Sequence, residues 1–143
     1  MFSKSCEYAL KAILHIASGS VNGTKMGIKE ISEELDLPRP YLSKILQILV
    51  RQNIIQSSKG RNGGFYLNES SSKIKIIYII EKLDGLHQLT KCGLGLKECS
   101  NTHPCPIHKV YMPYREKLRN ILEEKTINDL NKIVLKGEAF INN

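Results

Sequence analysis

Two helix-forming segments joined by a proline-containing turn, followed by a glycine-rich tip, constrain this chain more than any other feature. The segments "GIKEISEELDL" and "LPRPYLSKILQILVRQN" carry apolar residues at three- and four-residue steps, which predicts two amphipathic helices. Pro38 and Pro40 suit a turn or a first helical turn, so the second of these helices begins near Pro38 to Tyr41. In "IIQSSKGRNGGFYL" the glycines supply positive φ values between two β-prone runs, which predicts a hairpin.

Two helices with a short turn, followed by a basic-tipped hairpin, form the pattern of a winged helix-turn-helix, whose second helix enters the major groove of DNA. The predicted buried side of that helix consists of Leu42, Ile45, Leu46 and Leu49. Its opposite side consists of Pro40, Ser43, Lys44, Gln47 and Arg51.

The charge of the chain is concentrated where this motif lies. The formal net charge is +7, and there is no acidic residue between Asp36 and Glu69. The basic residues of that segment are Arg39, Lys44, Arg51, Lys59 and Arg61. An acid-free basic segment suits contact with a phosphate backbone, although charge alone equally fits a basic face without a partner.

The remaining segments predict further helices. The first helix spans about 3–18 and is stopped by Gly19, and an isoleucine-rich helix with Ile76, Ile77, Ile80 and Leu83 on one face ends at Gly85. Thr126 and Asp129 resemble a capping box that opens a last helix to about Lys136.

A heptad-like seam lies between the isoleucine-rich helix and the last helix. It consists of Ile107, Tyr111, Tyr114, Leu118 and Ile121. Pro113 implies that this helix either kinks there or begins near Met112. The seam fits either packing within one chain or pairing with a second copy.

The predicted fold is therefore mainly α with a small β-hairpin wing. Residues 1–70 form a winged helix-turn-helix DNA-binding domain. Residues 71–143 supply a linker helix, a cysteine-rich loop over 91–108 and C-terminal dimerisation helices. A chain of 143 residues can hold this as one domain or as two small units that share a core.

Three of the four cysteines lie in "KCGLGLKECSNTHPCPIHK". Cys92, Cys99, Cys105 and His108 form the spacing Cys-x6-Cys-x5-Cys-x2-His, a complete set of four metal ligands. Thiolate and imidazole ligands suit both zinc and iron–sulfur clusters, and the spacing does not choose between them. His103 is a possible replacement for His108, whereas Cys6 lies on the apolar stripe of the first helix and is expected in the core.

Several classes of protein are disfavoured. No apolar run reaches the length of a membrane span and no signal peptide is evident, which predicts a cytoplasmic protein without a membrane partner. In that reducing compartment, clustered cysteines favour metal ligation over disulfides. There is no nucleophile, base and orienter set, and "KGRNGG" lacks the lysine spacing of a P-loop, so we expect no enzyme.

The chain resembles, over nearly its whole length, the Rrf family of bacterial winged helix-turn-helix transcription regulators of the IscR and NsrR type. The resemblance is carried by "EYALKAILHIA", "KEISEEL", "YLSKILQILVRQNII", "SSKGRNGGFYL", "IIEKLDG" and the cysteine loop ending in "CPIH". It implies a homodimer on a near-palindromic operator in double-stranded DNA, with an iron–sulfur cluster held by Cys92, Cys99 and Cys105. The fourth ligand it implies is His108, or else Glu7 from the partner subunit; a [2Fe–2S] cluster is favoured and [4Fe–4S] is the second choice.

The expected function is thus a repressor-type transcription regulator whose DNA affinity follows a cluster that senses redox state, nitric oxide or iron–sulfur status. Arg39, Lys44, Arg51, Lys59 and Arg61 are expected on phosphate, and Tyr41, Ser43 and Gln47 near base edges. The rival interpretations are a winged-helix regulator with a purely structural zinc site and a small iron–sulfur redox protein.

Overall fold

The computed structural model describes residues 1–142 as a mainly helical chain with one two-stranded antiparallel sheet. The helices are α1 (Lys4–Ser20), α2 (Ile28–Leu35), α3 (Arg39–Arg51), α4 (Glu69–Ser72), α5 (Ile76–Asp84), α6 (His108–Glu124) and α7 (Ile127–Leu135). The strands are β1 (Gln56–Ser58) and β2 (Gly64–Tyr66), and a short 3-10 helix spans His87–Leu89. No helix among the described residues is long and apolar enough to cross a bilayer.

Helix α1 lies at the centre of the core. Its buried residues are Cys6, Ala9, Ala12, Ile13, Ile16 and Ala17. Helices α2, α3, α5 and α7 and strand β2 all contact it. The small alanines allow these neighbours to approach closely, and burial of the surrounding leucines and isoleucines supplies the main stabilising free energy.

The predicted helix-turn-helix is confirmed. Pro38 is the N-cap of α3, and the four predicted core residues of α3 are all buried: Leu42, Ile45, Leu46 and Leu49. Asp36, in the left-handed region with φ 51°, turns the chain between α2 and α3. The outward side of α3 is therefore fixed by burial of the opposite side.

The predicted wing is also confirmed, with shorter strands than the sequence suggests. Gln56 pairs with Tyr66, and Ser58 pairs with Gly64. Ile54, Ile55 and Leu67 were expected in the strands, but they lie beyond them and are buried in the core. The apolar side chains that precede β1 and follow β2 anchor the hairpin in the core. The strands themselves occupy only the part that protrudes from it.

Met26 forms an isolated antiparallel bridge with Phe65 at the edge of the wing. Its N–H donates to the carbonyl of Phe65 at 2.9 Å, and the N–H of Phe65 donates back at 2.8 Å. Gly64 permits this approach, because its φ is 144° and a Cβ there would lie 2.8 Å from the Met26 carbonyl oxygen. The wing is thus fixed to the segment between α1 and α2.

Three sequence expectations are corrected. Helix α1 continues past Gly19 to Ser20, and Gly19 instead leaves room for the Met26 side chain. The isoleucine-rich helix is preceded by a separate short helix α4 that was not predicted, and the third buried isoleucine of α5 is Ile79, whereas Ile77 is only partly buried. Helix α6 begins at His108 and includes Pro113, so a start near Met112 was wrong.

The predicted capping box of α7 is confirmed, and the helix that it opens packs against the core. The Thr126 hydroxyl accepts from the Asp129 N–H at 3.1 Å, and the Asp129 carboxylate accepts from the Thr126 N–H at 2.9 Å. Ile127 is fully buried beside α1, and the Ser18 hydroxyl donates to Asn131 Oδ1 at 2.7 Å. The two predicted units therefore share one core.

Replacing Gly64 with alanine should destabilise the fold more than the same change at Gly60. Both glycines have positive φ, but only Gly64 faces backbone, while the space around Gly60 is open. We expect a loss of about 1–3 kcal/mol for Gly64→Ala beyond the loss for Gly60→Ala, measured by urea unfolding. Equal losses would show that the contact with Met26 does not constrain the wing.

Replacing Thr126 with alanine should lower the free energy of unfolding by about 1 kcal/mol at neutral pH, measured by urea unfolding, because α7 loses its N-cap.

Hydrogen bonds from the Thr126 N–H and hydroxyl lower the pKa of Asp129, so this carboxylate stabilises the fold above its ordinary pKa. That contribution to stability is lost as the pH falls through the lowered pKa of Asp129 in the folded protein. In urea unfolding of metal-free protein, Asp129→Asn should weaken the pH dependence below neutrality, whereas Thr24→Ala, at an exposed threonine outside any helix, should leave it unchanged.

Candidate metal centre and DNA interface

The cysteine segment lies between the 3-10 helix and α6, and both of its ends are fixed. At the start, Arg115 Nη1 donates to the carbonyls of Thr90 at 3.1 Å and Lys91 at 2.8 Å. At the end, the N–H of His108 donates to the carbonyl of Cys105 at 2.9 Å as α6 begins. The segment between consists of turns and bends without helix or strand. Its cysteine side chains therefore lie on a backbone that is held at both ends.

Cys92 lies at the buried base of this loop, 5% exposed. The nearby backbone N–H groups of Leu94 and Leu96 lower the pKa of the Cys92 thiol, because they favour a negative charge on its sulfur. The Cys105 side chain and the Gly95 N–H contribute in the same direction. A chain turn that aims several N–H groups at one sulfur favours a thiolate, which is the form that binds metals.

His108 is 7% exposed and is held from both ring nitrogens. Nδ1 lies 3.4 Å from Cys99 Sγ, and Nε2 lies 2.8 Å from Asn101 Oδ1. An amide oxygen only accepts hydrogen bonds, so Nε2 carries the proton and Nδ1 presents its lone pair toward the sulfur. Metal-binding histidines are commonly oriented by such a second partner.

The four predicted ligands are thus arranged as two pairs, Cys92 with Cys105 and Cys99 with His108. Within residues 1–142 no three histidine, cysteine or acidic side chains converge on one point. The donor set nevertheless suits a thiophilic metal or an iron–sulfur cluster, because three thiols and an imidazole with a free lone pair belong to one loop.

The alternative ligands lie elsewhere. Glu7, on the first turn of α1, pairs with Lys4 Nζ at 2.8 Å, and this hydrogen bond lowers its pKa. His103 is exposed, and its Nδ1 lies 3.3 Å from Thr102 Oγ1. Cys6 is fully buried in the core, where burial first and nearby carboxylates second raise its pKa to about 12, as expected of a core thiol.

The surface predicted for DNA is formed by the outer side of α3 and the tip of the wing. Its five cationic side chains are all exposed: Arg39, Lys44, Arg51, Lys59 and Arg61. In the part of the chain that the structure describes, none of them lies within 4.0 Å of a carboxylate. Gln47 is exposed and Ser43 is partly buried on the same side of α3. These cations are therefore available to external phosphates.

Tyr41 differs from its neighbours on this surface. Its hydroxyl lies 2.6 Å from Ser5 Oγ, and its ring meets the Tyr8 ring edge-on with centroids 5.6 Å apart. Both partners belong to α1. Tyr41 therefore ties the start of α3 to α1, and its hydroxyl already uses one hydrogen bond for Ser5.

Helix α6 presents two apolar sides. Tyr111, Leu118 and Leu122 are partly buried toward the protein, whereas Val110 is 81% and Tyr114 is 76% exposed. We call the exposed set the outer strip; it consists of Ile107, Val110, Tyr114 and Ile121. The predicted seam therefore divides between an inner side and an outer strip.

Sequence reasoning missed two residues of the site. Arg115 lies four residues after Tyr111 and three before Leu118, a spacing that places a cation on the inner side of α6 and could have revealed it. Asn101 has no comparable signal, because its contact with His108 depends on the course of an irregular loop.

Comparison with known proteins agrees with this architecture. The chain is 28% identical over 130 residues to the transcriptional regulator NsrR of Oceanobacillus iheyensis, covering 90% of this chain and 88% of that one. It is 27% identical over 130 residues to IscR of Pectobacterium carotovorum, covering 90% and 78% of the two chains.

Among solved structures, CymR, the global cysteine regulator of B. subtilis, has the same fold. The TM-score is 0.74 at 19% identity, with 92% of this chain and 96% of CymR covered. Residues 2–132 match the Rrf2 family, described as iron-dependent transcriptional regulators. These regulators are not enzymes, and with its winged helix-turn-helix and nearly full-length match the chain belongs to the Rrf2 family of transcriptional regulators.

Proposed function

We propose that this regulator is a homodimeric repressor whose affinity for DNA is controlled by an iron–sulfur cluster. The cluster is held by Cys92, Cys99, Cys105 and His108. The NsrR and IscR relatives and the family's description as iron-dependent support the choice of iron. When bound, a cluster supplies a group that gains or loses electrons and is open to attack by oxygen or nitric oxide.

The observation that carries the proposal is the approach of His108 Nδ1 to within 3.4 Å of Cys99 Sγ, with Nε2 held by Asn101. This contact joins the start of α6 to the middle of the cysteine loop, and it leaves a lone pair beside a thiol. Cys92 and Cys105 form the second pair. A cation that stabilises three thiolates would favour bringing both pairs onto one centre.

The oriented imidazole favours His108 as the fourth ligand and a [2Fe–2S] cluster as the first choice, with [4Fe–4S] second. Glu7 of the partner subunit is the alternative ligand. In this chain Glu7 is partly exposed at the start of α1, and its ion pair with the exposed Lys4 is one that it could exchange for a metal. Replacing each residue separates the two assignments.

The outer strip supports dimerisation through α6. A helix with Val110 and Tyr114 largely exposed leaves apolar area in water, and a second copy of the same strip would cover it. The cysteine loop leads directly into this helix at His108. A change in the loop would therefore alter the angle between two DNA-binding units.

That angle matters because the two α3 helices of a dimer must meet major grooves about 34 Å apart on a near-palindromic operator. Arg39, Lys44, Arg51, Lys59 and Arg61 are proposed to bind phosphates, and Ser43 and Gln47 to approach base edges, with Tyr41 at the margin. A small change in the angle then changes affinity strongly.

Anaerobically purified protein should be coloured and contain iron and sulfide. Serine at Cys92, Cys99 or Cys105 should abolish the colour, because each removes a thiolate ligand, and His108→Ala should lower iron retention, because it removes the fourth ligand. Absorbance with iron, sulfide and zinc analysis provides the measurement. Cys6→Ala, a change at the core thiol, is the matched control and should retain the cluster.

Three outcomes would contradict this assignment. Colourless protein with one zinc per chain would support the structural zinc site, which the same donor set also fits. Loss of the cluster in Glu7→Gln with retention in His108→Ala would move the fourth ligand to the partner's α1. Failure of both loaded and metal-free protein to bind any promoter DNA would support a small redox protein instead.

Removing the wing cations should weaken binding to DNA of any sequence and flatten its salt dependence. Lys59→Ala with Arg61→Ala should reduce the slope of log K against log salt by about 0.9 for each phosphate that the wing no longer neutralises. Fluorescence anisotropy with a duplex of arbitrary sequence measures the slope. Lys132→Ala with Lys136→Ala removes two exposed cations at the far end of α7 and should leave it unchanged. An equal slope in the wing variant would exclude the wing from the interface.

A further inference from the structure

Arg115 is a buried cation that the proposed ligand set leaves unexplained. Its side chain is 9% exposed, and Nη1 donates to the carbonyls of both Thr90 and Lys91. Its nearest carboxylate, Glu116, is 3.9 Å from Nη2, and within the described residues Nε is buried without a partner. Burying a guanidinium is costly, so its position calls for a use beyond packing.

The two carbonyls that Arg115 holds directly precede Cys92 in the chain. On the other side of Cys92, Gly93 packs against α6, where a Cβ would lie 2.9 Å from Ile107 Cδ1 and 3.1 Å from Tyr111 Cδ1. Cys92 is therefore fixed to α6 by hydrogen bonds before it and by close packing after it. The Arg115 guanidinium also lies over the Tyr111 ring, 5.8 Å from its centroid, which restricts its own movement.

We infer that Arg115 is a positioning residue for the metal centre, one that fixes the backbone before Cys92 on α6 and places a buried positive charge against the segment that carries this ligand. The inference rests on the proposed function in that a metal group binds this loop. A guanidinium suits the task because the two hydrogens of its planar Nη1 are directed at two carbonyls at once, which a lysine ammonium does with less directional constraint. The same contacts join the ligand loop to the helix that carries the outer strip.

Two variants separate the directed hydrogen bonds of Nη1 from the charge. Arg115→Gln removes the charge and, being shorter, the reach to both carbonyls, and Arg115→Lys keeps the charge without a planar donor group. Arg119→Gln is the matched control, because Arg119 lies one turn further along α6 and pairs with Glu123 through Nε at 2.7 Å on the surface. Circular dichroism and thermal unfolding establish that each variant folds.

The first readout uses metal-free protein. Deuterium exchange of the amides of residues 92–96 should be about 10-fold faster in Arg115→Gln than in wild type, because the hydrogen bonds that hold this segment are absent. Arg115→Lys should be intermediate, and Arg119→Gln should match wild type. This result does not depend on the identity of the metal.

The second readout uses anaerobically loaded protein. Arg115→Gln should lose iron about 10- to 100-fold faster and show a lower cluster reduction potential, since a positive charge that favours the reduced form is gone. Arg115→Lys should keep a potential near that of wild type. Visible circular dichroism should change in both variants, because the geometry at Cys92 changes.

Reduced thermal stability of both variants with unchanged amide exchange, iron retention and potential would assign Arg115 a merely structural role and overturn the inference. Should Arg115→Gln fail to fold, Arg115→Lys with wild-type exchange and dichroism would overturn it equally. Wild-type protein that binds only zinc, released faster in Arg115→Gln, would uphold Arg115 and overturn the iron–sulfur function. Wild-type protein that binds no metal would overturn both.

Discussion

The rest of the structure depends on the burial of α1, because helices on several sides of it use it as their common packing surface. Ala9, Ala12 and Ala17 have side chains small enough to let α3, α5 and α7 approach, and Ile13 and Ile16 fill the space between them. The position of α3 relative to α5 is therefore set through one helix. The DNA-facing surface and the cysteine loop are fixed in the same frame, although they are distant in sequence.

Polar contacts at the start of α1 extend this frame. Asp84, at the end of α5, accepts from the N–H of Ser3 at 2.8 Å, and Ser3 caps α1. Two residues later, Ser5 meets the Tyr41 hydroxyl of α3. The end of α5, which leads into the cysteine loop, is thus connected to the start of the DNA-facing helix through the first turn of α1.

The cysteine loop combines features that are unfavourable without a ligand. It aims N–H groups at a buried thiol, orients an imidazole lone pair toward a second thiol and buries a guanidinium against the backbone that precedes Cys92. Each arrangement costs desolvation or conformational freedom, and a bound metal group would offset that cost. Local sequence–structure conflicts of this kind are expected at functional sites.

The sequence by itself determined the helix-turn-helix, the glycine-tipped wing, the capping box at Thr126 and the four candidate ligands, because each is encoded by local spacing. Helical periodicity, glycine φ values and ligand spacing act over a few residues, so no distant contact is needed to recognise them. Only the tertiary structure decided that Ile54 and Ile55 lie outside the strands and are buried in the core. It also decided that α6 begins at His108 and that the Tyr41 hydroxyl forms a hydrogen bond with α1. It likewise decided the pairing of His108 with Cys99 and the burial of Arg115 against the carbonyl that precedes Cys92. Those features depend on how the other helices and the wing contact one another when they pack around α1. The residues that determine this packing are far apart in the chain.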